Sequence, residues 1–598
     1  MDTIAVLDFG GQYTHLIANR IRRLGVFSEI VPCHAPASDL RPFKGIILSG
    51  GPYSVLDPGS PTVEAEVFTL GIPVLGLCYG HQLMASLLGG GVCKGKVREY
   101  GTARIAITEE SALFAGLDTD QVVWMSHGDT VDRLPEGFAV LASSEDCSTA
   151  AVGDASRRLY GLQFHPEVTH TPNGMTILDN FIGICGCRRE WSAEFFLKEM
   201  TAGIEKQCNG RNVFLLVSGG VDSTVAFALL NETLGPERVL GLHIDTGLMR
   251  LDESDDILAY LREHGFNNLH IVDASRRFLA TLGNIADPEE KRAIIGKLFI
   301  EVQQAALAER GLNAEKWMLG QGTIYPDTIE SAGTEHADRI KTHHNRVDII
   351  LELLRKGLVL EPLSQLYKDE VRALGEELGL PHKLVWRHPF PGPGLGVRAL
   401  CSDGAHQPVD SSVEDQTVRL AGALGYAARV LPVHSVGVQG DGRTYAHPAL
   451  VTGPRDWEAL ERVSTRITNA VRGVNRVVYG LRVKKPEDGY RVEKAFLTRD
   501  RLDKLRKIDH AVTEALYASE EYDAVWQMPV VLLPLVNCDN EECVVLRPIM
   551  SQEAMTARFA PLSEPALNAI IESARAIDGV GDVFFDVTHK PPGTIEWE

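Results

Sequence analysis

The sequence predicts a multidomain α/β protein, and three observations support this prediction. The chain has 598 residues, which is too many for one hydrophobic core and indicates roughly three or four domains. Short apolar runs alternate with stretches of helical pattern through residue 385, which is typical of parallel sheets covered by helices. The remaining residues repeat one order of hairpin, helix and strand about a hundred residues apart, which predicts an α+β region in two copies.

The composition restricts the class of protein. Lys and Arg number 59 against 80 Asp and Glu, a net charge of −21, which argues against a general nucleic-acid binder but allows a local basic pocket. No run of about 18 apolar residues is present, and the first residues read as a short strand rather than a signal peptide. The 10 scattered cysteines suggest reduced thiols. We therefore expect a cytoplasmic protein.

Residues 1–188 contain seven short apolar runs that predict strands. They are residues 4–7, 45–48, 73–77, 104–107, 122–125, 139–142 and 161–164. The third run ends in Gly76-Leu77-Cys78-Tyr79-Gly80, and a helical pattern follows. Such a turn is a nucleophile elbow with a thiol, because it exposes the sulfur and places it at a helix N-terminus that favours the thiolate.

Further residues of this segment can complete a catalytic site around Cys78. His165 and Glu167 follow the last predicted strand and can supply a base and an orienting carboxylate. The backbone amides of Gly51, in Ser-Gly-Gly-Pro, and of Tyr79 can stabilise an oxyanion. A single cysteine is most often a small buried apolar residue, but the combination of these motifs favours catalysis.

These motifs resemble the class I (triad) glutamine amidotransferases over the whole of residues 1–188. The resemblance implies a thioester on Cys78, release of ammonia, and hydrolysis by water activated through His165. It also implies that residues 88–91, 98–101 and 126–129 help to hold glutamine and face a synthetase. His81 departs from the family pattern, in which Met is common at this place.

Residues 213–217 form an apolar run that predicts a buried strand, followed by a glycine turn and a helix. The turn and first helical residues are Ser218, Gly219, Gly220, Val221, Asp222, Ser223 and Thr224. Free amides and the helix dipole make such a turn an anion site, and the lysine of an ordinary P-loop is missing. Two further predicted strands, 239–244 and 268–272, end in polar residues that include Asp245. Together they indicate a nucleotide crevice at the carboxyl ends of parallel strands.

The Ser-Gly-Gly-Val-Asp-Ser turn resembles the pyrophosphate loop of the N-type ATP pyrophosphatases, which have an adenine nucleotide alpha hydrolase-like fold. The resemblance implies that ATP is split into AMP and pyrophosphate to adenylate an oxygen; an ordinary glycine-rich turn is the alternative. We expect magnesium to bridge the ATP phosphates, with no ligand assigned. We predict that Lys341, His343 and His344 lie on a mobile lid that brings them to the phosphates and the substrate. Zinc binding is the alternative, but adjacent histidines on a helix do not face one site.

Longer motifs at residues 319–331, 341–345, 388–395 and 590–598 resemble the glutamine-hydrolysing GMP synthetases, and this resemblance covers essentially the whole chain. It implies that ATP adenylates the C2 oxygen of xanthosine monophosphate (XMP) and that ammonia then displaces AMP. The XMP-binding residues carried over by the resemblance are Arg292, Asp441, Gln527, Lys590 and Glu596, with Arg547 as a weaker candidate. Any one of them alone would read as a solvated surface residue.

We predict four segments: a glutaminase (1–188), an ATP pyrophosphatase domain (189–385), a first dimerisation-type unit (386–482) and a second such unit with an XMP-binding tail (483–598). In the resembling family, shorter members pair through one copy of this unit, and longer members such as the human enzyme carry an extra copy. Two copies in one chain predict a monomer with an internal pseudo-dimer, or a weak homodimer. Chance alternation of strands is the alternative.

Two other functions remain open at this stage. The chain could be a glutamine-dependent adenylating ligase for another acceptor, such as a tRNA base or a small acid, although the net charge weighs against tRNA. It could also be a catalytically silent nucleotide sensor, although the complete sets of motif residues argue against this.

Overall fold

Two structural units, Met1–Met200 and Thr201–Glu598, make up the chain. The computed structural model describes all residues except 12, 328–352, 354, 406–407, 440–441, 487–488 and 552–556. Within this described part, no helix is long and apolar enough to cross a membrane.

The first unit contains a nine-stranded sheet with the order β2-β1-β3-β4-β9-β8-β7-β5-β6. Its strands are β1 (Thr3–Asp8), β2 (Phe27–Pro32), β3 (Gly45–Leu48), β4 (Val74–Leu77), β5 (Gly91–Ile107), β6 (Asp120–Arg133), β7 (Ala139–Ser143), β8 (Ala151–Asp154) and β9 (Leu159–Leu162). The first five strands in this order run parallel, and the other four pair antiparallel. The carboxyl ends of β3, β4 and β9 therefore meet at one edge.

The helices of the first unit are α1 (Thr14–Arg23), α2 (Ala37–Leu40), α3 (Tyr79–Leu87) and α4 (Gly174–Cys185). All seven predicted strands are present, but β9 ends at Leu162, two residues before the prediction. Strands β2 and β8 were not predicted. The predicted runs 104–107 and 122–125 are only the apolar parts of β5 and β6, which form a long antiparallel hairpin with alternating burial along β6.

A five-stranded, wholly parallel sheet begins the second unit, with the order β12-β11-β10-β13-β14. Its strands are β10 (Asn212–Leu216), β11 (Val239–Asp245), β12 (Leu269–Asp273), β13 (Trp317–Gly320) and β14 (Val359–Leu360). The helices of this part are α5 (Ala193–Cys208), which spans the boundary between the units, α6 (Val221–Leu234), α7 (Glu253–Glu263), α8 (Ser275–Leu282), α9 (Pro288–Glu309), α10 (Lys368–Glu377) and α11 (His382–Val385). The central strand β10 leads directly into α6, as the sequence predicts.

An eight-stranded mixed sheet follows, with the order β15-β17-β18-β24-β21-β20-β19 and with β16 paired to β17. Its strands are β15 (Ala427–Val430), β16 (Ser435–Gln439), β17 (Gly442–Thr452), β18 (Val474–Arg482), β19 (Arg491–Val492), β20 (Val530–Val536), β21 (Glu542–Leu546) and β24 (Val580–Asp586). A small ribbon is formed by β22 (Ile549–Met550) and β23 (Arg558–Phe559). The helices are α12 (Ser411–Gly422), α13 (Trp457–Ala470), α14 (Arg499–Ala518) and α15 (Glu564–Arg575).

One topology occurs twice in this sheet. The hairpin β16–β17 is followed by α13 and by β18, which lies parallel to β17. The hairpin β20–β21 is followed by α15 and by β24, which lies parallel to β21. Strands β18 and β24 then pair antiparallel at the centre, with Tyr479 opposite Phe585. This is the arrangement that a local two-fold axis would produce from two copies of one unit.

The C-terminal tail of the second repeat lies on the first repeat. The backbone amide of Val436 in β16 donates to the Trp597 carbonyl at 2.9 Å, and that of Val438 donates to the Pro592 carbonyl at 2.7 Å. The buried Arg476 also donates to the Thr594 and Glu596 carbonyls. The tail is therefore held by residues of the first repeat.

Candidate active sites

A one-residue turn at Cys78 joins β4 to α3. The backbone of Cys78 has φ +50° and ψ −104°, a conformation that side-chain-bearing residues rarely adopt and that is often found at functional sites. The flanking glycines make this turn possible. A Cβ at Gly80 would lie 2.4 Å from the Leu48 carbonyl oxygen, and one at Gly76 would lie 2.6 Å from the Gly80 oxygen. The local geometry is that of a nucleophile elbow.

His165 and Glu167 lie beside this elbow and are both buried. His165 Nδ1 lies 2.6 Å from Glu167 Oε1. Burial alone would lower the pKa of His165, but the Glu167 carboxylate and the Cys78 sulfur together raise this pKa well above its usual value. A Cβ at Gly50 would lie 3.1 Å from His165 Cε1 and 3.7 Å from Cys78 Cβ. The structure therefore brings the three predicted catalytic residues to one place, and Gly50 allows the neighbouring turn to approach them.

Two backbone amides near Cys78 are available to a developing oxyanion. Tyr79 is the first residue of α3, so its amide has no acceptor within the helix. Among the described residues, the Gly51 amide has no acceptor either. The Tyr79 hydroxyl donates to the Pro61 carbonyl, which holds this side chain in place. Both predicted oxyanion residues can thus serve through their backbones.

Gln82 and Gln163 are two buried glutamines that the sequence analysis missed. Gln163 Nε2 lies 3.7 Å from Cys78 Sγ, and Gln82 donates to Gln163 Oε1 at 3.1 Å. The sequence signal was the position of Gln163 two residues before His165, on the same strand end.

Two further features noted in the sequence can now be described: His81, and the stretches 98–101 and 126–129, which contain Glu99 and His127. His81 is fully buried, burial lowers its pKa to about 3, and its imidazole packs where a Cβ of Gly161 would lie. It is therefore a neutral core residue. His127 Nε2 lies 2.9 Å from Glu99 Oε2, and Cys147 lies close enough to these two that the three side chains form a possible metal-binding group in the described part of the chain.

If the predicted glutaminase activity resides at this site, Glu167→Gln should move the alkaline limb of its pH profile to lower pH. The substitution keeps the shape of the side chain but removes the charge that raises the pKa of His165, so the imidazolium is lost at lower pH. The measurement is the rate of glutamate release against pH. Glu145→Gln, at an exposed position of the same unit, is the control and should leave the profile unchanged. An unshifted alkaline limb in Glu167→Gln would contradict the role of the Glu167 carboxylate.

The second unit has a glycine-containing loop between β10 and α6. Gly219 has φ +83°, which favours glycine. The Ser223 hydroxyl accepts from the Ser218 amide at 3.2 Å, and the Ser218 hydroxyl accepts from the Gly220 amide at 3.2 Å. The amides of the first turn of α6 follow directly, with no helical acceptors. This loop has the features of an anion site at a helix N-terminus.

A cavity of about 1110 Å³ lies beside this loop. Three cationic side chains that the sequence analysis missed line it, Lys368, Arg372 and Arg387, together with the predicted Arg292. Lys368 Nζ lies 2.6 Å from both carboxylate oxygens of Asp222. No motif marks these residues, because α10, which carries Lys368 and Arg372, and the segment of Arg387 are far from the loop in sequence, and only the fold brings them to it.

Arg387 is fixed within this cavity by a buried carboxylate. Its Nη1 donates to Glu253 Oε1 at 3.0 Å, while Glu253 Oε2 accepts from the Arg250 amide at 3.1 Å. Burial lowers the pKa of Arg387, although the Glu253 charge opposes this effect. Lys368, Arg372 and Arg387 therefore present positive charge to a cavity that also contains the anion-binding loop, which suits a polyphosphate.

Four of the predicted XMP-binding residues lie in the described part of the chain: Arg292, Gln527, Lys590 and Glu596. Gln527 Nε2 donates to Glu596 Oε1 at 3.2 Å and to the Pro389 carbonyl at 3.0 Å, and Arg398 pairs with Glu596 at 2.9 Å. Pro389 and Arg292 line the cavity beside the Ser218–Thr224 loop, and Gln527 is linked to that cavity through its bond to Pro389. Burial lowers the pKa of Lys590, as does the nearby Arg547.

Other predicted residues either play local roles or lie outside the described part of the chain. The Asp245 carboxylate accepts from the Gly247 amide at 2.8 Å, while the next residue, Thr246, lines the cavity. The weaker candidate Arg547 is buried and pairs with Asp586 at 2.7 Å. Lys341, His343, His344 and Asp441 lie outside the described residues.

Comparisons with known proteins match both units. The family model "Glutamine amidotransferase class-I" matches residues 5–184. The model "GMP synthase C terminal domain" matches residues 423–488 and 514–597, one segment in each repeat of the C-terminal sheet. The chain thus joins a class I glutamine amidotransferase to a GMP synthase C-terminal region.

Relatives resemble the chain over most or all of its length. A protein of Leptospira interrogans named "Probable GMP synthase (glutamine-hydrolyzing)" is 46% identical over 609 residues, covering 100% of this chain and 99% of its own length. The GMP synthases (glutamine-hydrolyzing) of Heliobacterium modesticaldum and Clostridium perfringens are each 44% identical and cover 81% of this chain and 98% of their own length. The chain belongs to the glutamine-hydrolyzing GMP synthase family. It is a ligase of glutamine-dependent GMP synthesis.

Proposed function

We propose that the first unit hydrolyses glutamine at Cys78, His165 and Glu167. The single observation that supports this most strongly is the strained elbow at Cys78 beside the buried His165–Glu167 pair. The Cys78 thiolate attacks the side-chain carbonyl of glutamine, and the C–N bond breaks as His165 gives a proton to the leaving ammonia. Water then loses a proton to His165 and attacks the thioester, and the C–S bond breaks to release glutamate. The amides of Gly51 and Tyr79 stabilise both oxyanions.

The second unit uses this ammonia to convert XMP into GMP at the expense of ATP. The C2 oxygen of XMP attacks the α-phosphorus of ATP, and pyrophosphate leaves. Ammonia then attacks C2, and AMP departs with the former C2 oxygen. The loop Ser218–Thr224 and Asp245 hold ATP, while Lys368 and Arg387 stabilise the pyrophosphate charge. XMP is bound by Arg292, Asp441, Gln527, Lys590 and Glu596, under a lid that carries Lys341, His343 and His344.

Magnesium is the metal ion that fits this reaction, and Asp222 is the residue best placed to bind it. Magnesium prefers carboxylate and phosphate oxygens, and when bound here it would supply positive charge to the phosphate groups. Glu253 also lines the cavity, but its oxygens are engaged with Arg387 and the Arg250 amide. Asp222 is paired with Lys368, a partly exposed side chain that can turn to a phosphate instead.

Four segments divide these tasks: 1–188, 189–385, 386–482 and 483–598. The repeated topology and the antiparallel β18–β24 pair support an internal pseudo-dimer formed by the last two segments. The chain is then a monomer or a weak homodimer. All ten cysteines are free thiols, which supports a cytoplasmic location.

Light scattering tests the internal pseudo-dimer. At nanomolar concentration we expect the mass of one chain, because the strand that would pair two subunits already has a partner in the same chain. A tight dimer under these conditions would contradict the proposal.

Cys78→Ala should separate the two chemistries. Glutamine-dependent GMP synthesis should fall at least about a thousandfold, because the nucleophile is lost, while synthesis from added ammonia should remain. The measurement is GMP formation from XMP and ATP with each nitrogen donor. Asp222→Ala should abolish synthesis from both donors, and the control Cys33→Ala should retain both. Loss of ammonia-dependent synthesis in folded Cys78→Ala would refute separate sites.

A further inference from the structure

We propose that Gln163 is a further catalytic residue of the glutaminase site, whose carboxamide N–H donates a hydrogen bond to the Cys78 sulfur and stabilises the thiolate. This inference rests on the proposed role of Cys78. Gln163 is completely buried, and its Nε2 lies 3.7 Å from Cys78 Sγ. Its own backbone amide donates to the Ala150 carbonyl at 2.9 Å, which fixes the residue at the end of β9.

The hydrogen-bond network determines which end of the Gln163 carboxamide faces the sulfur. The two ends of a carboxamide look alike in shape, so their assignment depends on their neighbours. Gln82 contacts the Asp129 carbonyl at 2.8 Å, and a carbonyl can only accept, so Gln82 must present its NH₂ group there. The same NH₂ group lies 3.1 Å from Gln163, which must therefore present its oxygen to Gln82. The NH₂ group of Gln163 is left to face Cys78.

This donor opposes another contact of the same sulfur. The Ser126 carbonyl oxygen lies 3.4 Å from Cys78 Sγ and can accept a hydrogen bond only from the neutral thiol. It therefore favours the thiol. The Gln163 N–H favours the thiolate, since hydrogen bonds to charged groups are roughly twice as strong as neutral ones. Together with His165, Gln163 sets the balance between the reactive and unreactive forms of Cys78.

The same contact acts twice in the reaction. It stabilises the thiolate before attack on glutamine, and it stabilises the thiolate again when this group leaves the tetrahedral intermediate during hydrolysis of the thioester. In the thioester itself the sulfur is neutral, and the hydrogen bond is weaker. Gln163 therefore favours the charged sulfur at both ends of the cycle, and Gln82 is a positioning residue that orients it.

Gln163→Met tests this inference, because Met has a similar length but no donor. The measurement is the alkylation rate of Cys78 by iodoacetamide against pH, followed by mass spectrometry of the Cys78 peptide, and it needs no glutamine. We expect the pH midpoint of alkylation to rise, and the alkylation rate below that midpoint to fall about tenfold. Gln163→Glu, which places an acceptor beside the sulfur, should shift the midpoint in the same direction. Gln82→Met, which frees the Gln163 carboxamide to turn, should give a smaller shift.

The matched control is Gln121→Met. Gln121 is also a buried glutamine of the first unit, but it bonds to the Asp118 carbonyl and to Asn173. The Gln121→Met variant should leave the pH midpoint of alkylation unchanged. A wild-type midpoint in folded Gln163→Met or Gln163→Glu would overturn the inference, as would an equal shift in Gln121→Met. Failure of the proposed function would be recognised in a different experiment, because glutamine-dependent synthesis would then survive in Cys78→Ala.

Discussion

Both proposed reaction centres depend on one backbone constraint, a buried parallel strand that must turn into a helix within very few residues. At Cys78 a single residue with φ +50° makes this turn, and in the second unit the four residues 217–220 do so with Gly219 at φ +83°. The turn leaves unpaired amides at the helix N-terminus, which suit an oxyanion in the first unit and phosphates in the second. Close packing excludes side chains at Gly80 and Gly76, so the sequence around the thiol has little freedom.

Buried side chains hold the C-terminal tail in place. Arg398 and Gln527 hold Glu596, and the Lys291 ammonium contacts Glu598 in the interior. Arg476 carries the tail on the first repeat. Breaking a buried ion pair by removing one partner typically lowers the free energy of unfolding by about 3–5 kcal/mol, so the ion pairs among these contacts stabilise the position of the tail. The shape of the proposed XMP pocket thus depends on both repeats and on the last residues of the chain.

The sequence predicted the features that short segments determine. The elbow at Cys78 and the loop at 218–224 are each formed by one continuous segment, and glycines at fixed positions indicate their backbone geometry. Lys368, Arg387 and Gln163 could not be found in this way, because tertiary packing brings each to its site from another segment. Strand β8 was missed because only two of its four residues, Ala-Val-Gly-Asp, are apolar, which is too short an apolar run to predict a strand, although all four are buried. The role of His81 depended on its neighbour Gly161, which lies far along the sequence.

One isotope experiment tests whether a thiol-based glutaminase supplies the nitrogen that replaces the adenylated C2 oxygen of XMP. The enzyme is given glutamine labelled with ¹⁵N at the amide, XMP labelled with ¹⁸O at C2, and ATP with magnesium, and the products are analysed by mass spectrometry. We expect ¹⁵N in GMP and ¹⁸O in the phosphate of AMP. Appearance of the ¹⁸O in pyrophosphate or in water would contradict adenylation of the C2 oxygen. GMP without ¹⁵N would contradict the supply of nitrogen from glutamine.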